Sequence, residues 1–227
     1  MNGLGRIALP LGALLGAWSQ LAGQAIDARI LVAAPRNSAR LGGVTERADG
    51  LWACVAVDLR AGRYTLSARG MRGQLTTSQP GFLPDRDVGE IAVGARYDVR
   101  PWIGVELGYT ARAFSSAAGY ERWNMAGVGV TATRDVGTPA VRAFASLAYL
   151  PLVGIRAQKS PTFAFASNVG ISVAPHRSPL TVSLSYRIER FRFSSATGRS
   201  EQFEALSLSA GVRAWRHAGR WTLGGGS

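Results

Sequence analysis

Apolar residues recur at every second position between Gly89 and Arg112, with one break from Asp98 to Trp102. One side of this stretch carries Ile91, Val93, Ala95, Tyr97 and Val99, followed by Ile103, Val105, Leu107 and Tyr109. Successive side chains of a β-strand point to opposite faces, so a period of two indicates strands and not helices. The short Arg100-Pro101 break between the two runs predicts a β-hairpin.

The same alternation returns along most of the chain. The predicted strands lie around residues 26–34, 51–59, 64–68, 91–99, 103–109, 126–132, 141–149, 163–173, 180–188 and 206–212. Pro35 is predicted to end the first strand, because proline lacks an amide donor for the ladder. Links of 36–50, 75–88, 115–122 and 194–202 are long, and those of 60–62, 100–101, 135–140 and 174–179 are short, with 157–161 intermediate. The pattern predicts one all-β domain of antiparallel, up-and-down strands, about ten in number, with eight as the alternative.

The second face of these strands differs from a solvated protein surface. It consists of Gly, Ala, Ser and Thr with occasional charges, and it has almost no Lys, Gln or Asn. Small residues and ion pairs suit the inside of a narrow barrel, whose interior side chains fill the lumen. The predicted lumenal charge network comprises Glu90, Arg96, Asp98, Glu106, Arg112, Arg142, Arg187, Glu189 and Arg213. The competing interpretation is a soluble sandwich or lipocalin-like barrel that packs Ile91, Val105 and Leu184 inward.

Aromatic residues and backbone hydrogen bonding favour a membrane setting. A sheet crosses hydrocarbon only as a closed barrel, because every amide must be satisfied there. Aromatics near the ends of apolar runs are typical of the belts at membrane interfaces, and the candidates are Tyr97, Trp102, Tyr109, Trp123, Tyr149 and Tyr186, with Trp215 near the end of the last strand.

The N-terminal segment has the three parts of a secretory signal. Arg6 precedes an uncharged stretch from Ile7 to Leu21, and Gly23 and Ala25 supply small residues for cleavage. Its apolar core, from Ile7 to Trp18, is too short for a bilayer span. We therefore expect a removed signal at residues 1–25, a barrel at 26–215 and a C-terminal tail at 216–227.

At this level the chain resembles the small bacterial outer-membrane β-barrel proteins with eight to ten strands. The resemblance rests on the signal, the alternation, the link lengths and the aromatic placement, and not on a family motif. It implies periplasmic short turns, outward long links, insertion by the barrel-assembly machinery, and contact with outer-membrane lipid and lipopolysaccharide.

The charge balance is strongly basic, with 26 Lys and Arg against 14 Asp and Glu, and Lys159 is the single lysine. The arginines are spread along the strands without a basic cluster, which argues against nucleic acid as a partner. Arg86, Arg122 and Arg199 lie near the predicted outer rim, where we expect them to bind lipopolysaccharide phosphates.

Catalytic and metal-binding patterns are weak. His176 and His217 are the only histidines, and both fall at the predicted periplasmic end. Cys54 shares a strand face with Trp52 and Ala56, as expected of a small buried residue. The acidic link Gly81–Asp87 offers two carboxylates, which is a poor calcium site. We therefore predict no enzymatic activity, no metal and no cofactor.

The sequence thus predicts an outer-membrane barrel with a narrow or plugged lumen and a structural, adhesive or membrane-stabilising role. A narrow pore that favours anions and a soluble lipocalin-like periplasmic carrier are the alternatives.

Overall fold

The computed structural model describes residues 24–77, 81, 83–117, 119–156, 159–175, 178–194, 198–217 and 220–223, of which 216, 217, 220 and 221 are described as backbone only. These residues form strands β1 (Gln24–Leu41), β2 (Val44–Ala61), β3 (Tyr64–Thr77), β4 (Arg86–Arg100), β5 (Ile103–Ser116), β6 (Gly119–Val136), β7 (Thr138–Ile155), β8 (Phe163–Val173), β9 (Leu180–Arg192), β10 (Ser200–His217) and β11 (Arg220–Leu223). No helix long and apolar enough to cross a membrane occurs in the part of the chain that the structure describes.

Strands β1 to β10 form a closed antiparallel barrel. Each pairs with the next along the chain, and β1 pairs with β10 from Ala25↔Trp215 to Arg40↔Ser200. Ten strands in the wall confirm the larger predicted number and exclude eight. Both described chain ends lie at one end of the barrel, as an even strand number requires. We call this the periplasmic end and the opposite one the outer end, following the orientation that the resemblance implies.

The predicted tail contains one more strand. Ala214 pairs with Ile26 of β1 and with Leu223 of β11, so β11 lies on the side of β10 away from β1. The described part of the predicted tail, residues 216–217 and 220–223, is therefore strand and extends the sheet beyond the start of β9.

The apolar face points outward. Ile91 is 66% exposed and Leu184 is 53% exposed, and Val105 and Val128 are exposed on other strands. A soluble barrel would turn this face toward its own core, so the orientation excludes the lipocalin-like architecture. A continuous apolar surface around a closed sheet is the surface of a transmembrane barrel.

The strands are longer than the alternation predicted, and two predicted long links are mostly strand. Residues 36–41 and 44–50 continue β1 and β2 to a turn at Gly42 and Gly43, both with positive φ (57° and 91°). Residues 115–122 are likewise largely strand, with Gly119 at φ 133° beside the turn. Hydropathy alternates only where the two faces meet different solvents, and above the bilayer both faces are wet. The backbone ladder therefore continues where the sequence signal stops.

Pro35 does not end β1, contrary to the sequence prediction. It keeps its register with Ala205 of β10, whereas the ladder toward β2 is interrupted between Ala33↔Trp52 and Arg36↔Asp49. Pro151 lies at a second irregularity, where the register of β6 and β7 shifts between Ala126 and Val128. Both prolines lie where the sheet lacks continuous pairing on one side, as proline requires.

The wall is taller than a bilayer core. Strands β1, β2, β6, β7 and β10 each contain 18 residues. A strand of that length tilted by about 40° rises roughly 45 Å, against an apolar band of about 25 Å. The outer part of the wall, which holds the turn at Gly42 and Gly43, consequently stands above the hydrocarbon.

Candidate functional site

An aromatic plug that consists of Phe114, Trp123, Phe191 and Phe203 lies in the outer half of the lumen. The ring of Trp123 meets that of Phe191 edge-on with centroids 4.8 Å apart, and the rings of Phe114 and Phe203 stack at 5.7 Å. Trp123 also contacts Phe203 at 6.1 Å. The plug is the centre of a larger buried apolar cluster to which β1, β2, β3 and β4 contribute Ala33, Trp52, Leu75 and Val88.

Trp123 lies inside the barrel and not at the membrane interface, which corrects its predicted position. Its side chain is 0% exposed, and its indole Nε1 donates a hydrogen bond to Glu121 Oε1 at 2.5 Å. The reason is strand parity, since Trp123 is in phase with the inward residues Gly127 and Gly129 of β6.

A buried ion cluster of Arg69, Glu90, Arg112, Arg187 and Glu189 lies directly beneath the plug. Arg112 Nη2 reaches Glu90 Oε2 at 2.5 Å and Glu189 Oε2 at 2.7 Å, so one guanidinium joins β4 to β9 across the lumen. Its guanidinium carbon also lies 4.8 Å from the centre of the Phe203 ring, which places the cluster against the plug.

The other two arginines complete the coordination of both carboxylates. Arg69 Nη2 donates to Glu90 Oε1 at 2.5 Å, and Arg187 contacts Glu90 Oε1 at 3.4 Å and pairs with Glu189. Arg112, Glu90 and Glu189 are buried and depend on their mutual pairing, whereas Arg69 and Arg187 are partly exposed.

Four of the predicted lumenal charges therefore come together, and Arg69 joins them although the sequence prediction omitted it. The alternation on β3 is weak, with Tyr64, Leu66 and Ala68 as its apolar positions, so it is a poor guide to the inner face of this strand. Their parity nevertheless assigns Arg69 to the inner face, and this signal was sufficient to find it.

The remaining predicted charges occupy the periplasmic half in separate pairs. Arg96 Nη2 binds Asp98 Oδ1 at 2.6 Å, and Arg60 binds the other oxygen of Asp98 at 3.2 Å. Glu106 accepts a hydrogen bond from the Thr131 hydroxyl at 2.8 Å. Arg213 pairs with Asp27 at 2.9 Å across the β1–β10 closure.

Arg142 has inward parity but lies apart from the network. Its side chain is 47% exposed near the periplasmic end of β7 and pairs with Asp135 at 3.0 Å. The pair lies close to the Gly137 turn, where the lumen opens to solvent, so Arg142 contributes a surface ion pair.

A cavity of about 430 Å³ with a mixed polar and apolar lining lies on the periplasmic side of the ion cluster. Its lining includes Arg29, Asp58, Arg96, Glu106, Asn168 and Arg187. A second cavity, of about 390 Å³, lies on the outer side of the plug and is lined by Arg86, Glu121 and Arg199 among others. The plug and the ion cluster separate the two cavities.

Two of the three arginines expected to bind lipopolysaccharide are engaged inside the outer cavity. Arg86 is buried, donates to Asn37 Oδ1 at 2.7 Å and lies 4.2 Å from the centre of the Phe114 ring. Arg199 donates from Nε to Glu201 at 2.8 Å. Both point inward, so the expectation is wrong for these two residues; Arg122 alone of the three faces outward.

Most of the other predicted interface aromatics lie on the outer wall. Trp102 and Tyr109 are exposed, as are Tyr149 and Tyr186, while Tyr97 is half-buried against Tyr64 with ring centroids 5.1 Å apart. The Tyr109 hydroxyl donates to Asn124 at 2.9 Å and the Tyr186 hydroxyl to Glu204 at 2.7 Å. These polar ends mark the region where the apolar band gives way to polar surroundings.

Little in the described structure points to metal or catalytic chemistry. No three His, Cys, Asp or Glu side chains lie close enough to share a metal ion in the described ranges. His176 lies outside the described residues, and His217 is described as backbone only. Cys54 is buried facing the lumen. In the outer link, hydrogen bonds from the amide and hydroxyl of Thr77 lower the pKa of the Asp85 carboxyl.

Fold and interior together define a transmembrane β-barrel of the small bacterial outer-membrane kind, with ten strands and with the plug and the ion cluster inside its lumen. The sequence matches no protein-family model and no curated protein sequence.

Similar solved structures are outer-membrane barrels. Neisserial surface protein A is 14% identical, with a TM-score of 0.38 over 82% of this chain and 96% of its own. The translocator domain of the autotransporter NalP from Neisseria meningitidis is 11% identical, with a TM-score of 0.48 over 90% of this chain and 95% of its own. The toluene transporter TbuX from Ralstonia pickettii is 14% identical, with a TM-score of 0.33 over 89% and 79%. At these identities the likeness concerns the fold and says nothing about ligands or activity.

Proposed function

We propose that the protein is a bacterial outer-membrane barrel with a structural, adhesive or membrane-stabilising role, and that its lumen does not conduct. The observation that carries this proposal is the stacking of the aromatic plug on the buried ion cluster. Trp123 is fully buried in the plug, and Arg112 below it binds carboxylates from two strands. Side chains that are packed and paired in this way narrow the lumen, which supports a barrel that does not conduct.

Planar-bilayer recording of the purified full-length protein tests the closed lumen. We expect the wild type to give no discrete conductance steps. The triple variant Arg112→Ala, Trp123→Ala, Phe203→Ala removes the plug and the bridging guanidinium, and should produce steps. Trp102→Ala, on the outer wall, is the matched control and should remain silent. Regular steps from the wild type would refute the proposal.

The second candidate is a narrow pore that favours anions. Arg29, Arg96 and Arg187 line the periplasmic cavity together with Asp58 and Glu106, which leaves a basic surface facing the lumen. Such a surface attracts anions if the lumen opens. If wild-type steps are seen, Arg96→Glu should reduce anion selectivity, measured as a shift of the reversal potential in a salt gradient.

Residence in the outer membrane after export belongs to the same proposal, as does assembly by the barrel-assembly machinery. The exposed apolar wall supports it, since water is a poor solvent for that surface. Fractionation followed by gel electrophoresis of boiled and unboiled samples tests it. The protein should appear in the outer-membrane fraction and change mobility on boiling. Recovery from the periplasm without detergent would contradict the proposal.

We also propose that the protein is not an enzyme. The buried charges are held in mutual ion pairs, with both oxygens of Glu90 and of Glu189 engaged. Carboxylates committed in this way are poorly placed to transfer protons to a substrate. The double variant His176→Ala, His217→Ala should leave the lipid A profile of the producing cells unchanged by mass spectrometry, and a change would show that a catalyst had been lost.

A further inference from the structure

A concave surface on the outer wall spans β1 to β6 and encloses about 910 Å³. We call it the wall groove. Its apolar lining includes Val32, Val55, Gly70, Ile91, Ala111 and Ala113. Gly89, Arg72 and Arg122 also line the groove, and its outermost row, one register step farther out, consists of Asp87, Ser115 and Tyr120.

The register aligns the two arginines across the groove. Arg72 of β3 pairs with Gly89 of β4, Gly89 with Ala113 of β5, and Ala113 with Arg122 of β6. Three strand spacings of about 4.8 Å separate the Cα atoms of Arg72 and Arg122 by about 14 Å. Arginine side chains extend far enough from both sides to approach one ligand over the two small residues between them.

The small residues of the groove are not imposed by packing. A Cβ on Gly89 would meet nothing within 4 Å, and one on Gly70 would meet only Val55 Cγ2, at 3.9 Å. By contrast, a Cβ on the inward-facing Gly73 would lie 2.1 Å from Trp52 Cδ1. Glycine in a strand interior weakens the strand. A glycine whose Cβ position is empty of protein atoms therefore favours the close approach of a ligand to the wall.

The two arginines are also unusual for a lipid-facing wall. Both are exposed, and neither guanidinium has an ion-pair partner among the described residues. The nearest acid in the register, Asp87, accepts a hydrogen bond from Gln74 at 2.9 Å instead. Charges on the lipid side of a barrel are unfavourable unless they reach the interface or find a counter-ion.

We propose that the wall groove binds one phosphorylated outer-leaflet lipid, with its phosphate between Arg72 and Arg122, over Gly89 and Ala113, and its acyl chains over Gly70 and Ala111. Guanidinium groups bind phosphate through paired, charge-assisted hydrogen bonds. The wall groove has an apolar lining below Arg72 and Arg122, and this arrangement matches a lipid with a charged head and hydrocarbon chains beneath it. The inference rests on the proposed membrane residence of the barrel.

Native mass spectrometry of the full-length protein from phosphatidylcholine nanodiscs tests this site. The probes are lipid A with both phosphates and the same lipid after dephosphorylation. The wild type should retain one copy of the phosphorylated form and bind the dephosphorylated form roughly tenfold more weakly. The double variant Arg72→Gln, Arg122→Gln should lose at least about tenfold in apparent affinity for the phosphorylated form.

Two matched controls separate the site from general effects of charge and bulk. Arg192→Gln removes an exposed arginine from the outer end of β9, and should leave lipid binding unchanged. Gly89→Leu fills the groove and should displace the lipid, whereas Ala145→Leu places the same leucine side chain on the outer face of β7 and should not. Equal binding by the double variant and by Arg192→Gln, or by Gly89→Leu and Ala145→Leu, would overturn the proposal.

Two further measurements complete the test: competition by inorganic phosphate, and the membrane insertion of each variant. Millimolar phosphate should not compete with the lipid, and competition would show that the arginines bind a free anion instead. The mobility change on boiling is measured for every variant. A wild type that shows that change but no preference for the phosphorylated lipid refutes the lipid site alone, whereas a wild type that never inserts refutes the proposed function as well.

Discussion

Arg112 is the residue on which the interior depends most. It bridges Glu90 and Glu189 and is 1% exposed, so its removal leaves two buried carboxylates with only Arg69 and Arg187 near them. Glu90 Oε2 and Glu189 Oε2 would lose the guanidinium that they bind in a buried cluster, and breaking a buried ion pair from one side is strongly destabilising. We expect Arg112→Met to lower the free energy of unfolding by about 3–5 kcal/mol.

Urea titration in lipid vesicles, followed by tryptophan fluorescence, measures this change. Arg142→Met is the matched control, because the Arg142–Asp135 pair is about half exposed and should contribute about 0–1 kcal/mol. If the two variants have the same midpoint, Arg112 does not stabilise the interior as described.

The glycines provide a second test at residue scale. Gly73 faces the lumen, and a Cβ there would lie 2.1 Å from Trp52 Cδ1 and 2.3 Å from the Leu51 carbonyl oxygen. We expect Gly73→Ala to destabilise the barrel by about 1–3 kcal/mol through overpacking. Gly89→Ala, which meets nothing within 4 Å, should be neutral or slightly stabilising in the same titration. Equal losses for the two variants would contradict the packing difference.

Residue positions were predictable wherever strand parity was followed strictly. Glu90, Arg112, Arg187 and Glu189 were assigned to the lumen by parity, and the structure brings them together. Trp123 was misplaced because its residue type was weighed above its parity. The ion pairs inside the lumen could not be predicted from the sequence, because they depend on which strands face each other across the closed barrel.

Among the elements, β1 closes the barrel and is therefore the most sensitive to a lost amide. Val32 pairs with Leu208 of β10 and with Ala53 of β2, in a part of both ladders without interruption. We expect Val32→Pro to abolish closure, because proline removes a ladder hydrogen bond and adds a clash. In hydrocarbon no water is present to replace the lost backbone hydrogen bond.

Gel mobility before and after boiling measures the closure. Val32→Pro should lose the heat-dependent shift, whereas Val32→Ala, which truncates the same outward side chain but keeps the amide, should retain it. Retention of the shift by Val32→Pro would indicate that β1 is dispensable for the wall.

Strand number and order were predictable from the alternation, and strand length was not. The alternation records a boundary between lipid and lumen, so it disappears where β1 and β2 rise into water on both sides. There Arg36 and Asp49 face outward and pair at 2.8 Å, and the sequence pattern resembles that of a loop. Only cooperative backbone pairing, which has no hydropathy signature, extends the ladder to the Gly42 and Gly43 turn.

At the scale of the whole molecule, the barrel has an apolar face that points outward and a polar face, with paired charges, that points into the lumen. Closure of ten strands satisfies the backbone, the plug and the ion cluster occupy the middle of the lumen, and the apolar side chains point outward. The composition of the two strand faces predicted this arrangement, with apolar residues outside and small and charged residues inside. The division of the lumen into a plug, an ion cluster and two cavities was not predictable, because it requires the depth of each inward side chain along the barrel axis.

Leu184→Arg tests what surrounds the wall. Leu184 is 53% exposed on β9 and lies beside Leu208 and Ile171 in the register. If hydrocarbon covers it, arginine at this depth should reduce the free energy of unfolding by about 2–4 kcal/mol in lipid vesicles. If water covered it, the same surface substitution would change stability by less than about 0.5 kcal/mol. The control is Arg134→Leu near the periplasmic end of β6, which removes an exposed charge outside the apolar band and should leave the urea midpoint nearly unchanged. A negligible effect of Leu184→Arg would place water around the barrel and remove the physical basis for a membrane protein.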